Sequence, residues 1–219
     1  KKEMCSSFLE PNLDHLDKFI NSERFHIIKQ SNFVTSTLDD ELNKIHKKPS
    51  FIKIDTEGTE IEILKGSSEC LNSILGIEIE SSFFQLRKKQ PLISDILSFL
   101  STSELEFIDF LSIIRWDKYE HKFTGQPQIT DLLFLVKPEI VIKKYNQKIY
   151  SKETLLNYIL ILSVYLRSDY LNFLNNNNEI SNEIPELKKL CKLIDIKINK
   201  INFIEKYSYM FKNKVYNNL

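Results

Sequence analysis

Glycine is scarce in this chain, and where it stands limits what the chain can fold into. The 219 residues contain four glycines, Gly58, Gly66, Gly76 and Gly125, and no two of them form a G-x-G arrangement. Phosphate-cradling loops of the P-loop or dinucleotide type need several glycines close together, because the backbone must turn tightly and approach its ligand without a Cβ in the way. No such loop can be built from these residues. A nucleotide-like ligand would need one supplied from elsewhere.

The composition narrows the classes further. A hydrophobic share of 42% and a charged share of 27% are those of an ordinary globular chain, and the length suits one medium domain or a smaller domain with an appendage. Thirty basic residues against thirty acidic ones leave no surplus of Lys and Arg for a nucleic-acid backbone, so small molecules are the expected partners and nucleic acid is not. Cys5, Cys70 and Cys191 are odd in number, far apart and in no C-x-x-C pair. They form neither a disulfide framework nor a zinc site, which places the chain in a reducing, cytoplasmic setting. His15, His26, His46 and His121 are scattered without ligand spacing, so no metal is expected. No signal peptide is visible, and a first residue of Lys1 rather than Met points to a fragment.

A strand-and-helix rhythm runs through the first part of the chain. Ile27, Ile28, Phe33 and Val34 mark one or two short strands, and Asp39-Asp40-Glu41 opens a short helix. Ser50 to Ile54 (SFIKI) reads as a buried strand ending at Asp55, and Thr59 to Lys65 as a helix with acidic residues in its first turn. Leu75 to Glu80 is a second strand, Leu92 to Leu100 a helix after Pro91, Leu105 to Phe110 a third strand and Thr130 to Val136 a fourth. Such alternation predicts an α/β fold with a largely parallel, helix-covered sheet. Gly125, Gln126 and Pro127 are read as the loop before the last strand.

The stretch Asp55-Thr56-Glu57-Gly58-Thr59-Glu60 crowds carboxylates into the turn at the end of a predicted strand. In open α/β sheets ligands bind at that rim, and Gly58 gives the backbone freedom for a sharp strand-to-helix turn. A plainer alternative stays open: Glu57 and Glu60 complement the helix N-terminus and Asp55 caps it.

Phe51 through Gly66, FIKIDTEGTEIEILKG, resembles the signature K-I-D-x-E/Q-G-x-E-x-x-x-L-K-G of the FkbM family of S-adenosylmethionine-dependent methyltransferases. Ser6 to Asn12, Thr37-Leu38-Asp39-Asp40, Gly76 to Glu80, and Gln126 through Leu135 resemble neighbouring family segments, so the likeness spans about Ser6 to Lys137. It implies a Rossmann-like methyltransferase sheet, of which this chain holds strands 4, 5, 7 and 6. Strands 1 to 3, with the glycine-rich loop and acidic residue that hold most of the cofactor, have no counterpart. Glu10-Pro11 imitates the acidic motif but stands too close to Asp55 to leave room for the missing elements. The resemblance also implies S-adenosylmethionine as cofactor and O-methylation of a hydroxyl on a sugar or other small polyhydroxylated metabolite. Asp55 and Glu57 are the expected catalytic residues, with Glu80, Gln126 and Asp131 binding the substrate. Lys53 is expected to pair with a carboxylate, and Trp116 to pack or to stack on a sugar. The chain then reads as the C-terminal part of a longer protein, inactive alone, with an open sheet edge at SFIKI.

Residues 138–219 have a different texture, rich in Asn, Lys, Ile and Tyr. Leu155, Ile159, Leu162, Leu166, Tyr170 and Phe173 fall on one face of a helix, and Leu187, Leu190, Ile194, Ile198, Ile201 and Ile204 on one face of a second, with Asn175 to Asn178 as a polar link. Neither apolar run reaches the roughly 20 residues that cross a bilayer, so no membrane span is expected. The domain reading is therefore 1–137 for the methyltransferase part and 138–219 for a helical extension. These helices offer a surface for homo-oligomers or a partner protein. The competing functional reading is an inactive interaction module docking on a glycosyltransferase or another partner.

Overall fold

The computed structural model describes residues 6–118 and 125–216. It divides into two compact units, Lys1–Lys137 and Pro138–Leu219. Cys5 and His121, named above, lie outside the described residues, as does the side chain of Ile204.

The first unit is α/β. In chain order it runs α1 (Leu13–Leu16), a 3-10 turn (Ser22–Phe25), α2 (Leu38–Lys44), β1 (Phe51–Ile54), α3 (Glu60–Lys65), α4 (Ser68–Leu71), β2 (Gly76–Ser82), α5 (Ile93–Leu100), β3 (Leu105–Trp116) and β4 (Gln126–Val136). The four strands form one mixed sheet in the order β1-β2-β4-β3. This is consistent with a methyltransferase-like fold.

Three expectations are corrected. The sheet is not largely parallel: only β1 and β2 pair in parallel, while β2–β4 and β3–β4 are antiparallel. β3 and β4 are neighbours in sequence and pair antiparallel, a connection that needs no crossover helix. Residues 27–34 form no strand, and Ile27, Ile28, Phe33 and Val34 are exposed. Side chains suited to a pleated surface make a strand only when a neighbouring strand takes up their backbone groups, and none does here. The last strand begins at Gln126 rather than Thr130, with Pro127 tolerated where the β3–β4 register shifts.

Alternation along β2 puts Ile77, Ile79 and Ser81 on one face and Gly76, Glu78, Glu80 and Ser82 on the other. Ile77, Ile79, Leu132 and Phe134 are buried, as are Ile61 and Leu64 of α3 and Ile96 and Leu100 of α5, helices that both contact β2. Burial of such side chains contributes about 1.5–3 kcal/mol each and holds β1 and β2 in place. Gly76 is needed because a Cβ there would lie 2.6 Å from Leu135 Cδ2 and 3.0 Å from Phe51 Cδ2.

The second unit is helical: α6 (Pro138–Asn146), α7 (Lys152–Val164), α8 (Ser168–Asn175), α9 (Asn178–Glu183) and α10 (Leu187–Tyr216). Its core is Leu155, Tyr158, Leu162, Leu171, Leu174, Ile180, Leu187 and Cys191. The single helix expected over Leu155 to Phe173 is broken, since Leu166 adopts φ 54° and α8 starts afresh behind Arg167. The asparagine run is more than a link: Asn177 Oδ1 accepts from the Ile180 backbone amide at 3.1 Å and caps α9. Among the described residues no helix is long and apolar enough to cross a membrane.

Candidate functional site

The chain leaves β1 at Ile54 and turns through two successive left-handed residues, Glu57 (φ 57°) and Gly58 (φ 114°), into α3. Glu60, buried at 3% exposure, folds back into this turn. Its Oε1 accepts from the Thr56 amide at 3.1 Å, from Thr56 Oγ1 at 3.1 Å and from the Gly58 amide at 3.0 Å. Glu60 therefore builds the turn instead of simply complementing the helix dipole. At Gly58 a Cβ would meet Leu9 Cδ1 at 3.0 Å and Gln90 Cγ at 3.3 Å, so the turn is packed shut and does not form an anion cradle.

Glu57 is held from both sides. Ser7 Oγ donates to its carbonyl at 2.7 Å, and Arg87 Nη2 donates to its Oε2 at 3.1 Å. Arg87 is only 1% exposed and lies over the Phe25 ring, 5.1 Å from its centroid. Gln90 fixes the loop that carries it: Oε1 accepts from the Leu86 and Arg87 amides at 3.0 Å each, and Nε2 donates to Ser82 Oγ at 3.1 Å. Burial holds the Glu57 carboxyl above its ordinary range, and the Arg87 guanidinium opposes that shift without cancelling it. Arg87 and Gln90 escaped the sequence reading. They sit in a short polar loop with no periodicity, and only their burial distinguishes them.

The polar face of the sheet carries the remaining carboxylates. Lys53 Nζ lies 2.6 Å from Glu78 Oε1 and 3.5 Å from Asp131 Oδ1, and Ser112 Oγ donates to Asp131 Oδ2 at 2.7 Å. Lys53 is thus the ion-pair partner expected of it, and Glu78 holds its ammonium above the ordinary range. Glu80 stands directly across from Asp131 in the β2–β4 ladder. The parallel register Lys53↔Glu78 and Ile54↔Ile79, carried one step on, brings Asp55 beside Glu80.

The side chains of Glu57, Glu60, Glu78 and Asp131 all have partners, whereas those of Asp55 and Glu80 make no hydrogen bond or ion pair among the described residues. Glu80 is pushed up to about 8, by burial first and then by Asp55, Glu57, Asp131 and Glu60. A carboxyl in that condition exchanges a proton near neutral pH.

The other expected residues lie apart from this rim. Gln126 pairs with Trp116 at the far end of β4, five positions before Asp131 or roughly 16 Å of strand, and its carbonyl accepts from Gln128 Nε2 at 3.4 Å. Trp116 packs against Phe19 and Phe25, with the Arg24 guanidinium 4.7 Å from its ring centroid. Packing is therefore what Trp116 does. His15 Nε2 pairs with Gln128 Oε1 at 2.8 Å and its ring stacks on Phe84. Cys70 and Cys191 are buried free thiols, Cys70 pushed up to about 11 by its burial. Among the described residues no group of three or more His, Cys, Asp or Glu is arranged to hold a metal ion.

Comparison with known proteins agrees with the acidic turn. Residues 5–108 match the family model of the methyltransferase FkbM domain, a span that contains Asp55, Glu57, Glu80 and Arg87. No curated protein and no solved structure gives a significant match.

Proposed function

We propose that the rim formed by Asp55, Glu57 and Glu80 serves S-adenosylmethionine-dependent methyl transfer to a hydroxyl of a sugar or other small polyhydroxylated acceptor, a reading supported by the match of residues 5–108 to the methyltransferase FkbM domain, which is consistent with an FkbM family methyltransferase. The observation that carries this reading is the pair Asp55 and Glu80, unpartnered beside each other at the end of two parallel strands. S-adenosylmethionine, when bound, supplies an electrophilic methyl group on a sulfonium. The described residues fit that donor only in part. Asp55 and Glu80 suit a cationic group, but the Gly58 turn is filled by Leu9 and Gln90 and cannot cradle a nucleoside. On this reading the nucleoside part of the donor is held by residues other than those of the Gly58 turn.

The chain's own contribution is to orient the acceptor and take its proton. Asp55 stands as the proton acceptor, Glu57 as the group that orients the hydroxyl, Glu80 as a second carboxyl able to exchange a proton with the acceptor, and Asp131 as a hydrogen-bond acceptor for a neighbouring hydroxyl. Gln126, five positions along β4 from Asp131, is left on this reading with at most the distal part of an extended acceptor. The test is methyl transfer from labelled donor to a panel of polyols and glycans by the complete protein. Asp55→Asn is expected to lower turnover by about 10²-fold or more with unchanged melting temperature; unaltered turnover would remove Asp55 from the site.

A second reading, an interaction module docking on a partner such as a glycosyltransferase, is favoured by the exposed Leu156, Leu160 and Val164 in one stripe of α7. Under it, no methyl transfer is measured and a partner co-purifies.

A further inference from the structure

We propose that Arg87 is a positioning residue of the acidic turn: its guanidinium pins the Glu57 side chain as a fixed anion, leaving proton exchange with an acceptor to Asp55 and Glu80. The functional half of this statement rests on the methyltransferase reading above, and the physical half on geometry alone.

A guanidinium is costly to bury unless its charge is met, so an Arg at 1% exposure marks a committed pair. Both ends of the 3.1 Å contact are held by independent means. On the Arg87 side the backbone bridges Pro11, Gln90 accepts from its amide, and Phe25 lies under the guanidinium. On the Glu57 side the left-handed backbone and the Ser7 hydroxyl fix the residue before its side chain is placed. The pair thus joins two loops that are 30 positions apart in the chain.

Protonating Glu57 would weaken a charge-assisted hydrogen bond to a cation that cannot give up its own proton, so Arg87 makes Glu57 a poorer proton acceptor than the same burial would leave it without that partner. The charged groups that face Glu57 are Arg87 from its loop and Asp55 and Glu60 from the turn. Glu80 meets the opposite case, facing Asp55, Glu57, Glu60 and Asp131, while Lys53 is engaged with Glu78 and Asp131. The two glutamates, close in space and alike in chemistry, are set to different tasks by one arginine.

The test is a site-resolved carbon-13 titration of the glutamate carboxyls in the 219-residue chain, together with the nitrogen-15 spectrum of the Arg87 side chain. Arg87→Gln is expected to raise the Glu57 midpoint by about one pH unit or more, and Arg87→Lys to restore at least half of that shift. A Glu57 midpoint that stays put in Arg87→Gln, or that is the same in Arg87→Gln and Arg87→Lys, would overturn the assignment. Should Arg87→Gln not fold, two measurements decide. The wild-type guanidinium is expected to show separate, slowly rotating Nη signals that merge in Glu57→Gln, and the Glu80 midpoint is expected to fall in that variant. Nη signals already merged in the wild type, or a Glu80 midpoint unmoved by Glu57→Gln, would sink the proposal. Neither measurement uses a methyl donor or an acceptor, so a failure here leaves the methyl-transfer proposal standing, and a failure of methyl transfer leaves these titrations unaffected.

Discussion

The two units of this protein bury different kinds of residue. Glu60, Ser67, Ser81, Ser82, Arg87, Gln90, Gln128 and Thr130, the buried polar residues among those described, all lie in the first unit. The second unit buries Leu155, Tyr158, Leu162, Leu171, Leu174 and their apolar neighbours. The zero net charge hides a matching division: residues 1–137 carry 17 basic against 22 acidic residues, net −5, and residues 138–219 carry 13 against 8, net +5. Burying polar groups costs free energy unless each is satisfied, and a unit concerned only with packing has no reason to incur it. In the first unit Glu60, Arg87, Gln90 and Ser82 hold the acidic turn and its neighbouring loop. The proposed chemistry draws on that unit alone.

Three substitutions would break or sharpen this contrast. The largest effect is expected in the helical unit, where Leu162→Ala removes a fully buried side chain and costs about 3 kcal/mol in urea denaturation, equally at pH 5 and pH 8. A strong pH dependence of that loss would mean that the helical core is not as purely apolar as it looks.

Next comes Gly58→Ala in the acidic turn, where φ 114° strains any Cβ and Leu9 leaves it no room. A loss of about 2 kcal/mol is expected, read from the denaturation midpoint. No loss would show that the turn relaxes freely, and the rim would then not be rigid.

The smallest effect is electrostatic. Glu80 is raised to about 8 in the folded state from an ordinary value of 4.5, so between those pH values the folded state holds a proton that the unfolded state has lost. Its contribution to stability is present below that window and is lost as pH rises through it. Glu80→Gln should then leave the melting temperature unchanged at pH 5 and raise it slightly at pH 8. Equal melting temperatures for the two proteins at pH 8 would show that solvent reaches Glu80 and relieves its crowding.

Much of the first unit was legible beforehand because its signals are local. Phe51 to Ile54 has the residue types of a strand, Gly58 permits the turn, and Ile61 and Leu64 set the helical spacing of α3. The strip from Ile27 to Val34 misled for the same reason: its side chains favour a strand, but a strand also needs a neighbour. In the second unit the apolar spacing through Leu166 predicted one helix, and only the left-handed residue there shows two. Asp55 and Glu57 follow β1 directly and Glu80 lies near the end of β2, as their place in the sequence suggested, whereas Gln126, grouped with them, is the first residue of β4 and stands five positions before Asp131.

The sequence by itself determined that a strand, an acidic turn and a helix follow one another at positions 51 to 65, and that this segment resembles a methyltransferase family. These properties depend on neighbours a few residues apart. Only the tertiary structure decided which carboxylate side chains are paired and which are left without a partner among the described residues. Arg87 reaches Glu57 across 30 positions and Lys53 reaches Asp131 across 78. Such pairings, and the burial that raises Glu80, arise when the sheet brings distant segments together.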